Sequence, residues 1–201
     1  MKVFVITGGI GSGKTSACRF LENEFGWPVY YADERVKALY MDSPGLLDKI
    51  ETSLCGRFRD EDGRFVPSLL ASVIFGNREA LEKVEAIVFP ELTADFDRWK
   101  AEHHDCDHVI LESATILEKP SLSRLGDITV LIDAPVGQRA ARAALRDGAP
   151  KESIMRRMDN QQLMNSISNG QATVAVDSVI MNDSTEEDFH AKLRTWAENI
   201  L

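Results

Sequence analysis

Eight residues near the amino terminus, Gly8-Gly9-Ile10-Gly11-Ser12-Gly13-Lys14-Thr15, fit the spacing G-x-x-x-x-G-K-[ST]. Glycines there can take positive φ and turn their N–H groups inward, and they carry no Cβ to fill the space that a phosphate needs. A helix starting near Lys14 adds unsatisfied N–H groups and a positive dipole end. Lys14 can reach the β- and γ-phosphates, and the Thr15 hydroxyl can ligate Mg²⁺. Gly9, Gly11, Ser12, Gly13, Lys14, Thr15 and Ser16 are therefore the expected contacts to ATP, and Lys14 doubles as a catalytic charge. The motif predicts a chain that binds a nucleoside triphosphate. It does not separate kinases from hydrolases, switches or motors, although the N-K-x-D motif of a guanine-reading GTPase is missing.

Other side chains narrow the chemistry. Glu112 closes the apolar run HVILE, where a carboxylate can organise Mg²⁺ directly or through water; a strand-end charge meeting solvent would look the same. Asp33 follows VYY by two residues. A kinase acting on an alcohol needs a carboxylate to accept the hydroxyl proton and orient the oxygen for in-line attack. Aspartate also caps helices, and spacing leaves both roles open. Arg139, Arg142 and Arg146 recur at i, i+3 and i+7 along one helix face, with Arg156 and Arg157 close behind. Small alanines between them and a loop beyond suggest a lid that closes on phosphates, with Arg142 as its catalytic residue. The alternative is a solvated helix face. His103 and His104 sit at a helix end and read as a solvated tail rather than a metal site. Trp27, Trp99 and Trp196 lie on apolar faces and read as core.

The whole chain sets limits on this. Its 201 residues suit one compact domain with a small inserted region. Lys and Arg number 23 against 32 Asp and Glu, a net charge of −9 that disfavours a nucleic-acid partner. An acidic protein that binds phosphates must gather positive charge locally, as the arginine run does. Apolar runs are strand-sized, which argues against a membrane partner, and no basic leader precedes a long apolar stretch. Cys18, Cys55 and Cys106 form no C-x-x-C pair, so reduced thiols in the cytoplasm are expected.

The elements that must position these residues follow from hydrophobic periodicity. Strands are expected at VFVI (3–6), WPVYY (27–31), HVILES (108–113), ITVLIDA (128–134) and SVIMN (178–182). A helix should run from the glycines to Gly26, and another from Asp33 to Phe58 with a break near DSPG. RDEDGRF (59–65) reads as a polar turn. Residues 67–103 read as helical, with Pro90 starting a new helix because proline suits a first turn. PVGQRAARAALRDG, closed by Gly148, and KESIMRRMDNQQ are the next helices. The loop around Asn165 to Gln171 is expected to be mobile until both substrates bind, since such a kinase must exclude water. Phe189, Leu193, Trp196 and Ile200 share one face of a closing helix, which Ser184 and Glu187 would cap as a box. Strands alternating with helices imply an α/β fold with a five-stranded parallel sheet, and each candidate residue after a strand should lie at the carboxyl edge.

In this combination the chain resembles the dephospho-coenzyme A kinase family, of the nucleoside-monophosphate-kinase-like type. The matching stretches run through nearly the whole chain in order. They are TGGIGSGKT, ADE, DGRFVPSLLASVIFGNREALEKVEAIVFP, ESATILE, VLIDAP, RAALRDG and DSVIMND. The resemblance implies a three-layer P-loop kinase fold with a helical substrate-binding insertion at about 60–104 and a lid at about 137–170. It implies ATP-dependent phosphorylation of the ribose 3′-hydroxyl of dephospho-coenzyme A, with Asp33 as general base. It places adenine near Arg146, Asn182 and Asp183. Two positions depart from the family pattern: Tyr31 stands where an aspartate is common, and Phe89 where a histidine is common. Both bear on acceptor contacts.

Two rival functions are consistent with parts of the sequence. A kinase of another small nucleotide or nucleoside would share the architecture but not the long insertion. A non-catalytic nucleotide switch would lack a base and would need a partner surface. A monomer or weak homo-oligomer, with only small-molecule substrates as partners, is expected.

Overall fold

The computed structural model describes residues 1–119, 122–161, 163, 166–167 and 176–200. Five strands form one parallel sheet in the order β2-β3-β1-β4-β5. They are β1 (Lys2–Thr7), β2 (Val29–Tyr31), β3 (His108–Glu112), β4 (Ile128–Asp133) and β5 (Ser178–Met181). The main helices among the described residues are α1 (Lys14–Phe25), α2 (Ala32–Asp42), α3 (Pro44–Leu54), α4 (Pro67–Ile74), α5 (Arg78–Glu102), α6 (Val136–Asp147), α7 (Lys151–Asp159) and α8 (Glu186–Glu198). The chain divides into two compact units, one of Met1–Tyr31 with His103–Leu201 and one of Ala32–Glu102.

The sheet unit is built as its sequence requires. β1 is buried from Val3 to Thr7, so its apolar run is continuous rather than alternating, as in a strand covered on both faces. On one face Phe4, Ile6, Ile110, Val130, Ile132 and Ile180 pack with Ala17, Cys18 and Leu21 of α1 and Phe189, Leu193 and Ala197 of α8. Trp27 stacks on Phe4 with ring centroids 5.0 Å apart, and Trp196 meets the same ring edge-on at 5.4 Å. Trp27 is a core residue, as the sequence implied, and Trp196 is half-buried against the same cluster.

Register fixes the functional edge. Ile6 pairs with Glu112, Glu112 with Tyr31, and Asp133 with Met181, so the carboxyl ends of these strands are level. β1 lies between β3 and β4, and the glycine-rich turn leaves it at that centre. This is the crevice where open α/β sheets bind ligands.

In the helical unit α5 packs against α2, α3 and α4. Val84, Val88, Leu92 and Phe96 are buried at a spacing of four along it. The expectation of a new helix at Pro90 is corrected: α5 is continuous and Pro90 lies inside it. An interior proline costs about 3 kcal/mol. Each of the four buried side chains returns about 1.5–3 kcal/mol, on both sides of the proline, so packing outweighs the break. Arg35 grips the buried Asp95 carboxylate with two hydrogen bonds, Nε at 2.8 Å and Nη2 at 2.7 Å. Residues 59–65 form the expected turn, closed by a bridge between Arg59 and Phe65.

Two smaller expectations also shift. The α8 cap is Thr185, whose hydroxyl accepts from the Asp188 N–H at 3.2 Å; the Ser184–Glu187 box is displaced by one residue. Within the expected 165–171 loop, Ser166 and Ile167 are helical, while Asn165 and residues 168–171 lie outside the described residues.

Candidate active site

The glycine-rich turn has the backbone its sequence calls for. Gly11 and Gly13 take φ of 74° and 105°, in the region that favours glycine. Gly13 is the residue before α1, so the helix opens directly onto the turn with its first N–H groups unsatisfied by any side-chain cap. Gly11, Gly13, Lys14, Thr15 and Ser16 line a cleft of about 190 Å³, and Arg142, Ala143 and Arg146 form its other wall. The turn and the arginine helix, more than 120 residues apart in sequence, therefore meet in one place. The Ser12 side chain is fully buried, and its N–H closes a turn onto the Gly9 carbonyl at 3.1 Å.

Lys14 and Glu112 are neighbours across the strand ends. The ammonium donates to the Gly8 carbonyl at 2.9 Å and stands 3.9 Å from a Glu112 oxygen. Glu112 is 7% exposed. A hydroxyl at Thr15 and a carboxylate at Glu112 are hard oxygen donors of the kind that suit Mg²⁺. Among the described residues no group of three or more His, Cys, Asp and Glu side chains could hold a metal ion. Cys18, beneath the turn, has its thiol pushed well above the usual range by burial and then by the Glu112 charge.

The three arginines of α6 divide their work. Arg142 Nη1 donates to the Asn182 carbonyl at 3.0 Å and Nη2 to Gln138 Oε1 at 3.1 Å. Arg146 forks onto Asp147 at 2.7 and 3.2 Å, and Arg157 joins the same carboxylate at 2.7 Å. These bonds hold the Asp147 carboxyl down to about 2. Arg139 is different. It is fully buried under the turn, with Nε on the Ile10 carbonyl at 3.2 Å and Nη1 on Asp133 Oδ1 at 3.4 Å. Burial lowers its pKa and the Asp133 charge opposes that shift. The solvated-face alternative is thus excluded for Arg139.

Asn182 and Asp183 follow β5. Asn182 Nδ2 donates to the Ser12 carbonyl at 2.9 Å, so this side chain supports the turn. Asp183 pairs with Lys192 at 2.7 Å, which holds its carboxyl below the usual range. The Tyr31 phenol is pushed up to about 12, chiefly by burial, and stays protonated at neutral pH. Asp33 belongs to the helical unit. It is the second residue of α2, past the position of an N-cap, in a first turn that also holds Glu34. Phe89 lies in α5, one residue before Pro90, and its carbonyl accepts from the Thr93 hydroxyl at 2.8 Å.

Sequence reasoning missed Gln161 and Asp133. Gln161 Oε1 accepts from the Ile10 N–H at 2.8 Å, across 151 positions that no periodicity connects. Asp133 closes β4 in the stretch VLIDAP, and that position was the signal available.

The family model for dephospho-CoA kinase matches residues 2–188. A dephospho-CoA kinase of Porphyromonas gingivalis is 37% identical over 177 residues, 88% of this chain and 84% of that one. A solved Thermus thermophilus structure has a TM-score of 0.79 at 24% identity and covers 100% of this chain and 98% of its own. The dephospho-CoA kinase of Campylobacter jejuni gives 0.65 at 20% identity, over 100% and 98%. The two structures support the fold.

Proposed function

The chain belongs to the dephospho-CoA kinase family, and we propose that it transfers the γ-phosphoryl group of ATP to the ribose 3′-hydroxyl of dephospho-coenzyme A. The products are coenzyme A and ADP. One observation carries the reading: the glycine-rich turn, Lys14 and two arginines wall a single cleft at the carboxyl edge of the sheet.

The γ-phosphoryl group passes through a state with charge spread over its peripheral oxygens, so catalysis is mostly positioning and charge stabilisation. Gly11, Gly13, Lys14, Thr15 and Ser16 present N–H groups to the phosphates, joined by Gly9 and Ser12 in shaping the turn. Lys14 and Arg142 stabilise the charge on the transferring group. Mg²⁺ would be held by Thr15, with Glu112 behind it, and would supply charge neutralisation at the phosphates. Asp33 accepts the acceptor's hydroxyl proton; its place beyond an N-cap and the family resemblance support this. Arg146, Asn182 and Asp183 border the adenine. Residues 60–104 take the coenzyme A side and residues 137–170 act as the lid. Among the described residues no helix is long and apolar enough to cross a membrane. Free cysteines at positions 18, 55 and 106 support a cytoplasmic location.

The test is an acceptor panel. Protein, ATP and Mg²⁺ are mixed with dephospho-coenzyme A, with adenosine or AMP, or with no acceptor, and ADP is measured. Dephospho-coenzyme A alone should accelerate ADP formation. Equal rates with and without it would contradict the reading, and a preference for AMP or adenosine would favour the rival kinase.

A further inference from the structure

The tip of the glycine-rich turn is held from the far side of the sequence. Ile10 donates its N–H to Gln161 Oε1 at 2.8 Å, and its carbonyl accepts from Arg139 Nε at 3.2 Å. Its side chain packs against the buried cluster of Ala140, Ala143, Ile154 and Met158, which joins α6 to α7. One residue is therefore fixed at three points, by α6, by α7 and by Gln161 just past the end of α7.

The backbone consequence is specific. The N–H belongs to the peptide plane before Ile10 and the carbonyl to the plane after it. Planar peptides leave only φ and ψ free at each residue, so holding both planes fixes both angles of Ile10. The next residue is Gly11, where the chain turns into the cradle at φ 74°. Arg139 is itself fixed: it is fully buried and faces Asp133 Oδ1 at 3.4 Å, and that same oxygen accepts the Ala134 N–H at 2.8 Å. A Cβ on Gly9 would run into the guanidinium, and one on Gly11 into the Arg139 carbonyl, so helix and turn fit without spare room.

We propose that Arg139 and Gln161 are positioning residues of the phosphate cradle: they lock the Ile10 backbone so that the amides from Gly11 onward meet the phosphates already arranged. This rests on reading the cleft as the ATP site. Ordering a loose residue only on binding would weaken affinity by about five- to thirtyfold. Losing one hydrogen bond of the brace should cost about two- to tenfold.

The experiment uses the full chain and the variant Gln161→Met, which keeps length and removes the acceptor oxygen. Arg139→Lys, which keeps charge opposite Asp133 but loses the fork, is measured beside it. ADP affinity is read by calorimetric titration with no acceptor present, so an error in the acceptor assignment leaves that result intact. Thermal unfolding and the KM values for ATP and dephospho-coenzyme A complete the set. In Gln161→Met, the ADP dissociation constant and the KM for ATP should rise together by about two- to tenfold. The KM for dephospho-coenzyme A should hold, and the unfolding midpoint should fall by no more than the roughly 2–6 °C that one hydrogen bond accounts for. Arg139→Lys should move the ATP side in the same direction. Unchanged ADP affinity in Gln161→Met overturns the proposal, as does an equal rise in both KM values or a loss of affinity that only follows a loss of folded protein.

Discussion

Gly13→Ala followed through a double-mutant cycle with Asn182→Ala isolates the contact that carries the turn into α1. Gly13 has φ 105°, where an L side chain is strained, at a cost of roughly 1–2 kcal/mol. The added Cβ would also run into Asn182 Nδ2, which is anchored on the Ser12 carbonyl at 2.9 Å. Displacing that amide forfeits a hydrogen bond worth about 1 kcal/mol net. Gly13→Ala should therefore destabilise the protein by about 2–3 kcal/mol, or about 4–12 °C in Tm for a chain of this size. In the Asn182→Ala background the obstacle and the hydrogen bond are already gone, and only the strain remains. The two changes together should cost about 1 kcal/mol less than their sum. Thermal and urea unfolding of the four proteins measure this. Additive effects would show that Asn182 does not brace the turn and would refute the reasoning.

Three further outcomes follow from the same structure. Asp33→Asn should abolish most turnover while ADP affinity stays within about twofold, since a base contributes about 10²–10⁴-fold to rate; near-normal turnover would remove Asp33 from the chemistry. Cys55 ends α3 at φ 50°, the one non-glycine with positive φ among the described residues. Cys55→Gly should raise stability by about 0.5–1 kcal/mol, the relieved strain less the added chain entropy, and an unchanged or lower unfolding midpoint would contradict that. The Asp147 carboxyl lies near 2 in the folded protein, below its ordinary 3.8, through bonds from Arg146 and then Arg157. A lowered carboxyl stabilises the fold above its unfolded value, so this contribution is present above about pH 4. It fades as pH falls toward 2. In Arg146→Ala the Asp147 titration, followed by carbon NMR, should move up toward 3.8; an unmoved midpoint would dissociate Arg146 from it.

What the sequence revealed was what short-range pattern controls. The VFVI run, the glycine spacing and the closing Gly26 fixed β1, the turn and α1, because each rests on neighbours or on helical period. The same holds for the five strands and their common edge. Pro90 went astray because a local rule about proline met a stripe of buried residues that outweighs it. The α8 cap slipped by one because Ser184 and Thr185 can both cap, and it is the Thr185 hydroxyl that takes the Asp188 N–H. Helical spacing put Arg139 beside Arg142 and Arg146, yet it is buried under the turn, while Arg146 is drawn to the neighbouring Asp147. Periodicity gives a face and not the partner that the face meets. Gln161 illustrates the limit: its bond to Ile10 depends on how α7 packs against α6 and the glycine-rich turn, and nothing near it in sequence encodes that.

The most direct test of the central claim follows the phosphoryl group itself. With γ-labelled ATP, Mg²⁺ and dephospho-coenzyme A, the label should appear on the ribose 3′-hydroxyl of the product, one equivalent for each ADP released. Label recovered as inorganic phosphate, or on another position of the acceptor, would contradict it.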